Sequence, residues 1–281
     1  METLLISPKE RKVVIGNDQP TVLIGERIHP FGKGLVKEAL QSGNLKLVCE
    51  VAASQVEAGA DVLIVNANAF GMDESDLLPR VVRAIMETAD VPLCLESRNP
   101  LALEKTLEMG CGRPMISSVT GEKPILESIL PIIKRYDLPV VVMATDSAGI
   151  PPDPQRRIEI VQTIIGHAEA VGIPRENLVI DCLAESIAVN AEAARITCKA
   201  IERVRDEMGL NTILGASNIS FGLPSRSWVN IPFLSLAIAS GLTAAIVNAK
   251  VVKPYVTACD LLMGKDRGSR RYMAYYRSRN K

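Results

Sequence analysis

The chain has 281 residues, 47% of them hydrophobic and 23% charged, and its 32 basic and 32 acidic side chains leave no net charge. That is the profile of an ordinary globular protein able to bury a large core. It argues against nucleic acid or an anionic membrane as the main partner, since either favours a strong basic excess. Six cysteines, at 49, 94, 111, 182, 198 and 259, are scattered with no C-x-x-C pair and no histidine at ligand spacing, so they read as buried, reduced thiols. The opening METLLISPKERK sets charge after a very short apolar patch, the reverse of a signal peptide. No apolar run approaches the ~20 residues of a membrane span. The expectation is a cytoplasmic protein.

Taken in order, residues 1–21 form an N-terminal extension, with a small hairpin expected from Lys12–Ile15 and a turn at Asn17–Asp18. Short apolar runs then alternate with helical stretches. The strand candidates are 22–28, 61–68, 92–98, 114–120, 139–146, 178–183, 212–218 and 244–249. Between them, Leu45–Ala58 and Asp76–Ala89 carry apolar residues at helical spacing, as do Leu126, Ile129 and Ile133, and Ile158, Val161, Ile164 and Ile165. Prolines 92, 114 and 139 stand just at or before strands, where they break no ladder. Near-continuous apolar strands alternating with helices imply a parallel sheet covered on both faces. Eight such units point to an α/β protein, a (β/α)8 TIM barrel, with one domain over 22–264 and a basic, Tyr-rich tail over 265–281. That tail is expected to be a solvated helix or a subunit contact.

In such a barrel the chemistry sits at the C-terminal ends of the strands. Polar residues gather there: Glu26 and Arg27, Asn66 and Asn68, Glu96 and Ser97, Ser117 and Ser118, Thr145 and Asp146, Asp181, Ser217 and Asn218, and Asn248. Any one of the Asn, Asp and Ser residues is as readily a helix cap as a site residue. Capping does not account for the carboxylates Glu96 and Asp181, which lie within or behind apolar runs and need a partner or a ligand. Glu26–Arg27 reads as an internal ion pair. A ligand with adjacent N–H donors would satisfy Glu96 and Asp181 by two-pronged, charge-assisted hydrogen bonds.

What is missing narrows the chemistry. There are two histidines, His29 near the expected mouth and His167 within a helix, and no metal-binding motif, so no metal site is expected. P-loop, G-x-S-x-G and Cys–His signatures are absent, and no lysine stands at a strand end before Lys250 and Lys253. Such a site binds and orients while its ligands supply the reactivity.

The strings GERI (25–28), LCLES (93–97), MISS (115–118), VID (179–181) and LGASNIS (214–220) resemble the pterin-binding barrels, and among them the methyltetrahydrofolate:corrinoid protein methyltransferases. The likeness spans residues 22–262 and implies a barrel of the pterin-binding-domain type. It further implies methyl transfer between N5 of tetrahydrofolate and the cobalt of a corrinoid (cobalamin) carried by a partner protein, with 5-methyltetrahydrofolate as substrate or product. By the same resemblance, Glu96, Ser117 and Asp181 hold the pterin edge and Asn218 approaches N5 as the catalytic amide. Ser217 and Asn66 complete the folate site, and the enzyme is a homodimer. Glu96 and Ser117 stand where the family has an aspartate and an asparagine, and Ile64 where many members have an acid. Arg226 is placed either to meet the anionic glutamate tail of the folate or to be a surface residue. Two other readings share the pattern: a dihydropteroate synthase-like enzyme, and a non-catalytic folate-binding or corrinoid-docking subunit.

Overall fold

Each of the eight apolar runs forms a strand, and the strands close on themselves. The computed structural model describes residues 1–30 and 35–279, so the last two residues of the expected tail lie outside the described residues. A two-stranded antiparallel hairpin, β1 (Glu2–Ile6) and β2 (Lys12–Gly16), precedes the barrel. The barrel strands are β3 (Val22–Ile28), β4 (Val62–Val65), β5 (Leu93–Glu96), β6 (Met115–Val119), β7 (Val140–Met143), β8 (Leu178–Asp181), β9 (Asn211–Gly215) and β10 (Ala244–Val247). All neighbours are parallel, and β10 returns to β3 with Ala244 opposite Val22. Most strands are shorter than their apolar runs suggest: Glu96, Ser117 and Asp181 still pair at the mouth, and the chain leaves the ladder shortly beyond them.

The hairpin corrects one expectation. Lys12–Gly16 is its second strand, not its first; the hairpin turn lies at Pro8–Lys9 and ends on Glu10 with φ 65°, while Asn17–Asp18 is a turn as expected but leads on to β3. Its role is to close the bottom of the barrel. Leu5 and Ile15 pack with inward side chains from all eight strands: Val22, Ile24, Val62, Ile64, Cys94, Met115, Val141, Val179, Ile213 and Ala244. Asn211 of β9 ties the plug down, its amide donating to Thr3 Oγ1 at 2.9 Å and the Ile15 carbonyl at 3.0 Å.

The outer faces of the strands carry the larger core, packed against α1 (Leu35–Ser42), α2 (Leu45–Glu57), α3 (Glu74–Thr88), α4 (Pro100–Leu107), α5 (Lys123–Tyr136), α6 (Pro154–Ala170), α7 (Ala193–Arg203), α8 (Ser227–Ser240) and α9 (Ala249–Leu262). Several helices start on a capping side chain at the mouth. Asp73 accepts from Ser75 N, Asn99 from Leu101 and Ala102 N, and Asp153 from Arg156 N, the last two followed by a proline at the first helical position. Gly25, on the outer face of β3, lets α2 come close: a Cβ there would meet Gln55 Oε1 at 2.6 Å. The tail is a helix, Arg270–Arg279, with no buried residue. Among the described residues no helix is long and apolar enough to cross a membrane. The described cysteines are all free, three of them buried.

Candidate active site

Side chains alternate across a strand, so the inward face of each strand can be followed upward two residues at a time. Above the apolar interior positions, the next inward residues are Glu26, Asn66, Glu96, Ser117, Met143, Asp181, Gly215 and Asn248. One step of the pleat takes the barrel from hydrocarbon to a polar mouth. The same alternation sorts the polar residues crowded at the strand ends. Ser97 and Thr120 are engaged by their own loops: Ser97 Oγ accepts from Asn99 N and Thr120 Oγ1 from Glu122 N. Thr145 and Asp146 are taken up in the loop after β7, by the Gly149 carbonyl and by Arg156 at 3.0 Å.

On one side of the mouth, a cavity of about 460 Å³ is lined by Asn66, Glu74, Glu96, Ser97, Ser117 and Met143, among others. Asn66 is buried and central to it. Its Oδ1 accepts from Asn68 N at 3.0 Å, and its side chain also hydrogen-bonds the Glu96 carboxyl. Burial pushes the Glu96 carboxyl above the usual range, against the lowering pull of Asn66 and Arg98. Ser117 stands opposite Glu96 on the ladder, and only 6% of its surface is exposed. Sequence reasoning missed Glu74, which enters from the first turn of α3 instead of a strand end. Burial raises its pKa too, Ser97 bonds to it, and Oε1 is buried without a hydrogen-bond partner.

Asp181 ends β8 opposite Met143 on one neighbour and Ile213 on the other. Its Oδ1 accepts from Leu183 N at 2.8 Å, closing a turn in which Leu183 takes φ 62°. Burial raises the carboxyl to about 6, opposed by that N–H and by Arg157.

The other side of the mouth belongs to the loop after β9. A cavity of about 180 Å³ there is lined by Glu26, Ser217, Arg226, Asn230, Asn248 and several aliphatic residues. Glu26 does not pair with Arg27 as expected; among the described residues it forms no salt bridge. Arg27 lies on the opposite, exposed side of the strand, while Glu26 Oε1 accepts from Ser217 Oγ at 3.0 Å across the mouth. Burial nonetheless raises the Glu26 pKa. Arg226 is occupied by its own loop, donating to the Ser217 carbonyl at 2.5 Å and Ser220 Oγ at 2.9 Å. It thereby pins the segment that carries Asn218.

Asn218 is exposed, and its amide lies back over Gly215: a Cβ on Gly215 would approach Asn218 Nδ2 to 3.1 Å. The missing side chain at this inward position opens space for the Asn218 amide. The structure thus gathers Asn66, Glu96 and Ser117 in one cavity and Ser217 and Arg226 in a second, with Asp181 and Asn218 also at this end of the barrel. Among the described residues no cluster of His, Cys, Asp and Glu has metal-binding geometry. The mouth offers, among the described residues, buried hydrogen-bond acceptors, amides and hydroxyls and no activated nucleophile; burial raises the Cys182 thiol beside Asp181.

The chain is similar to known proteins over most of its length. The family model described as "Pterin binding enzyme" matches residues 35–248. A methylcorrinoid:tetrahydrofolate methyltransferase of Eubacterium limosum is 27% identical over 262 residues, covering 91% of this chain and 96% of the relative. A methionine synthase of Mycobacterium leprae is 27% identical over 250 residues, 84% of this chain but 21% of that longer protein. Among solved structures, a dihydropteroate synthase of Yersinia pestis superposes with a TM-score of 0.71 at 16% identity, over 94% of this chain and 100% of that one. One from Coxiella burnetii, in complex with pteroic acid, gives 0.69 at 18%, over 92% and 98%. At those identities the likeness speaks for the fold alone. With its eight-stranded barrel, its polar mouth and a family match over most of its length, this chain belongs to the pterin-binding enzymes.

Proposed function

We propose that the protein is a methyltransferase that moves a methyl group between N5 of tetrahydrofolate and the cobalt of a corrinoid carried by a partner protein. The observation that carries this reading is the mouth itself: buried carboxylates at Glu96 and Asp181, an amide at Asn218 and, among the described residues, no activated nucleophile. The Eubacterium limosum relative, whose name couples a methylcorrinoid to tetrahydrofolate, supports it over nearly its whole length.

In this reading Glu96 and Asp181 accept hydrogen bonds from the N–H groups along the pterin edge. Asn66 holds the Glu96 carboxyl in place, and Ser117 adds a hydroxyl beside it. The corrinoid supplies the reactivity, as cobalt(I) nucleophile in one direction and methyl-cobalt(III) donor in the other. The protein contributes at N5. A tertiary amine leaves poorly unless N5 is protonated or strongly hydrogen-bonded as the C–N bond breaks. In this reading the Asn218 amide strengthens its bond as that happens, and only such differential stabilisation speeds the step. A dihydropteroate synthase would need a lysine and an arginine at the ends of β9 and β10 to manage a pyrophosphate leaving group. Here β9 ends Gly215-Ala216-Ser217-Asn218, and Lys253 is turned onto the Gly59 carbonyl. The reading includes a homodimer, supported by exposed apolar residues on α8 and α9: Trp228, Leu236, Tyr255 and Leu262.

The test is direct. Purified protein mixed with 5-methyltetrahydrofolate and a reduced corrinoid protein is expected to consume the cobalt(I) absorbance. Run in reverse, a methylated corrinoid protein should methylate tetrahydrofolate. Folate binding without transfer to or from any corrinoid protein would leave a binding subunit, and formation of dihydropteroate would replace the reading with the synthase.

A further inference from the structure

Arg157 stands in the first turn of α6 and is completely buried. Its Nε donates to the Pro151 carbonyl at 3.1 Å, and its Nη1 donates to the carbonyls of Cys182 at 2.5 Å and Leu183 at 2.6 Å. Nη2 is buried with no hydrogen-bond partner. The placement is unfavourable on two counts. A buried guanidinium loses its hydration, and among the described residues Arg157 has no salt bridge to offset that. It also sits at the positive end of a helix dipole, where cations are disfavoured. What Arg157 holds is the chain leaving β8, the two residues after Asp181, and it ties that turn to the loop before its own helix.

We propose that Arg157 is a positioning residue for Asp181: by gripping the carbonyls of Cys182 and Leu183, it keeps the β8 exit turn in the form that pins one carboxylate oxygen on Leu183 N–H and turns the other toward the ligand. This rests on the reading of Asp181 as a ligand acceptor. The turn needs holding, because Leu183 is a branched residue in the left-handed region, which such residues rarely adopt. Thr197 Oγ1 supports it from α7, donating to the same Leu183 carbonyl at 2.8 Å. The guanidinium has a second effect through its charge, which burial lowers in pKa without abolishing. The charged groups around it are Asp181 and Glu185 on the β8 side and Asp153 at the cap of α6; Cys182 stays a neutral thiol. Arg157 is the cation that opposes the raised pKa of Asp181.

The test compares Arg157→Met and Arg157→Lys with the native chain. Asp181 is followed by carbon-13 carboxyl titration, Asp181→Asn identifying its resonance, and tetrahydrofolate binding is measured against pH. In Arg157→Met the Asp181 midpoint should rise by about one pH unit, the low end for losing a neighbouring opposite charge. Folate affinity should then fall about twofold at pH 7 and about fivefold at pH 6, as the ionised fraction shrinks. Arg157→Lys keeps a charge but not the planar fork. It should leave the titration near native and still weaken folate binding severalfold, because the turn is no longer gripped. An unmoved Asp181 midpoint in Arg157→Met overturns the proposal. If that variant does not fold, native titration together with native affinity in Arg157→Lys overturns it equally. Should the native protein bind no folate at all, the functional reading fails, while the carboxyl titration still decides whether Arg157 governs Asp181.

Discussion

At the scale of single residues, two side chains of the mouth carry separable predictions. Asn218 is exposed and lies over Gly215, whose φ of −71° suits any residue, so a methyl group there acts on Asn218 and not on the backbone. If the Asn218 amide serves N5, Asn218→Ala should lower kcat by roughly 10–1000-fold with folate affinity little changed, the range for losing one transition-state hydrogen bond. Gly215→Ala should lower kcat by about tenfold or less, by displacing the amide a few tenths of an ångström. Made in the Asn218→Ala background it should cost nothing further, and a fully additive double mutant would show that Gly215 acts elsewhere. Asp181 gives the second prediction. A carboxyl whose native pKa is raised binds its proton more tightly when folded, so its contribution to stability is complete below pH 3.8 and is lost as pH rises to about 6. The ionised form therefore strains the ligand-free protein at neutral pH. Asp181→Asn should raise unfolding stability at pH 7.5 by about 1–3 kcal/mol, with the gain gone near pH 4 and folate affinity lowered. The Asn oxygen can still accept from Leu183 N, so the turn itself is kept. Denaturant unfolding at the two pH values checks this, and equal stability of the two proteins at pH 7.5 would refute it.

Elements were far more legible in the sequence than their contacts. All eight strands and four of the helices between them follow from apolar runs punctuated by Pro, Asn and Asp, because a parallel strand buried on both faces reads as a near-continuous apolar run. The sequence predicts the hairpin but places Lys12–Ile15 as its first strand, since Pro8–Lys9 is a weaker turn signal than Asn17–Asp18. Within the site, strand ends were found by polarity, yet which polar residue faces inward depends on parity along the strand. Counting in twos from Val22, Ile64, Cys94 or Val179 separates Glu26, Asn66, Glu96 and Asp181 from the caps, and that signal was available. It also shows why Glu26 and Arg27 cannot share a face. Glu74 and Arg157 were not legible, because each comes from a helix and is brought to the mouth only by packing. The hairpin yields a prediction at this scale. Leu5 fills the bottom of the barrel, completely buried and far from the polar mouth. Leu5→Ala should cost about 2–5 kcal/mol of stability, as core truncations do, and leave kcat and folate affinity unchanged below the melting transition. A variant of native stability would mean that the plug is dispensable.

Across the whole molecule the two ends of the barrel differ in kind. The bottom is sealed by hydrocarbon and by hydrogen bonds from the Asn211 side-chain amide. The top holds carboxyls at Glu26, Glu74, Glu96 and Asp181, all raised in pKa chiefly by burial. Four acids that resist ionisation at one end of a barrel leave the ligand-free protein less stable at neutral pH than its core alone would make it. A ligand donating hydrogen bonds to them recovers that deficit, so binding and stability should be linked through pH. At a tetrahydrofolate concentration of 100 times Kd, stabilisation by mass action is about 2.7 kcal/mol, or roughly 5–10 °C in Tm for a chain of this size. At pH 5, with Asp181 about nine-tenths protonated, the same free concentration should act as only about tenfold over Kd and the gain should drop to about 1.4 kcal/mol. The ligand-free protein moves the opposite way over that interval, gaining stability as its buried acids take up protons. Calorimetric melts at pH 5 and 7.5, with and without tetrahydrofolate, should therefore show the two curves drawing together on acidification. Parallel curves would mean that the ligand does not depend on the buried carboxylates, and that the polar mouth serves some other purpose.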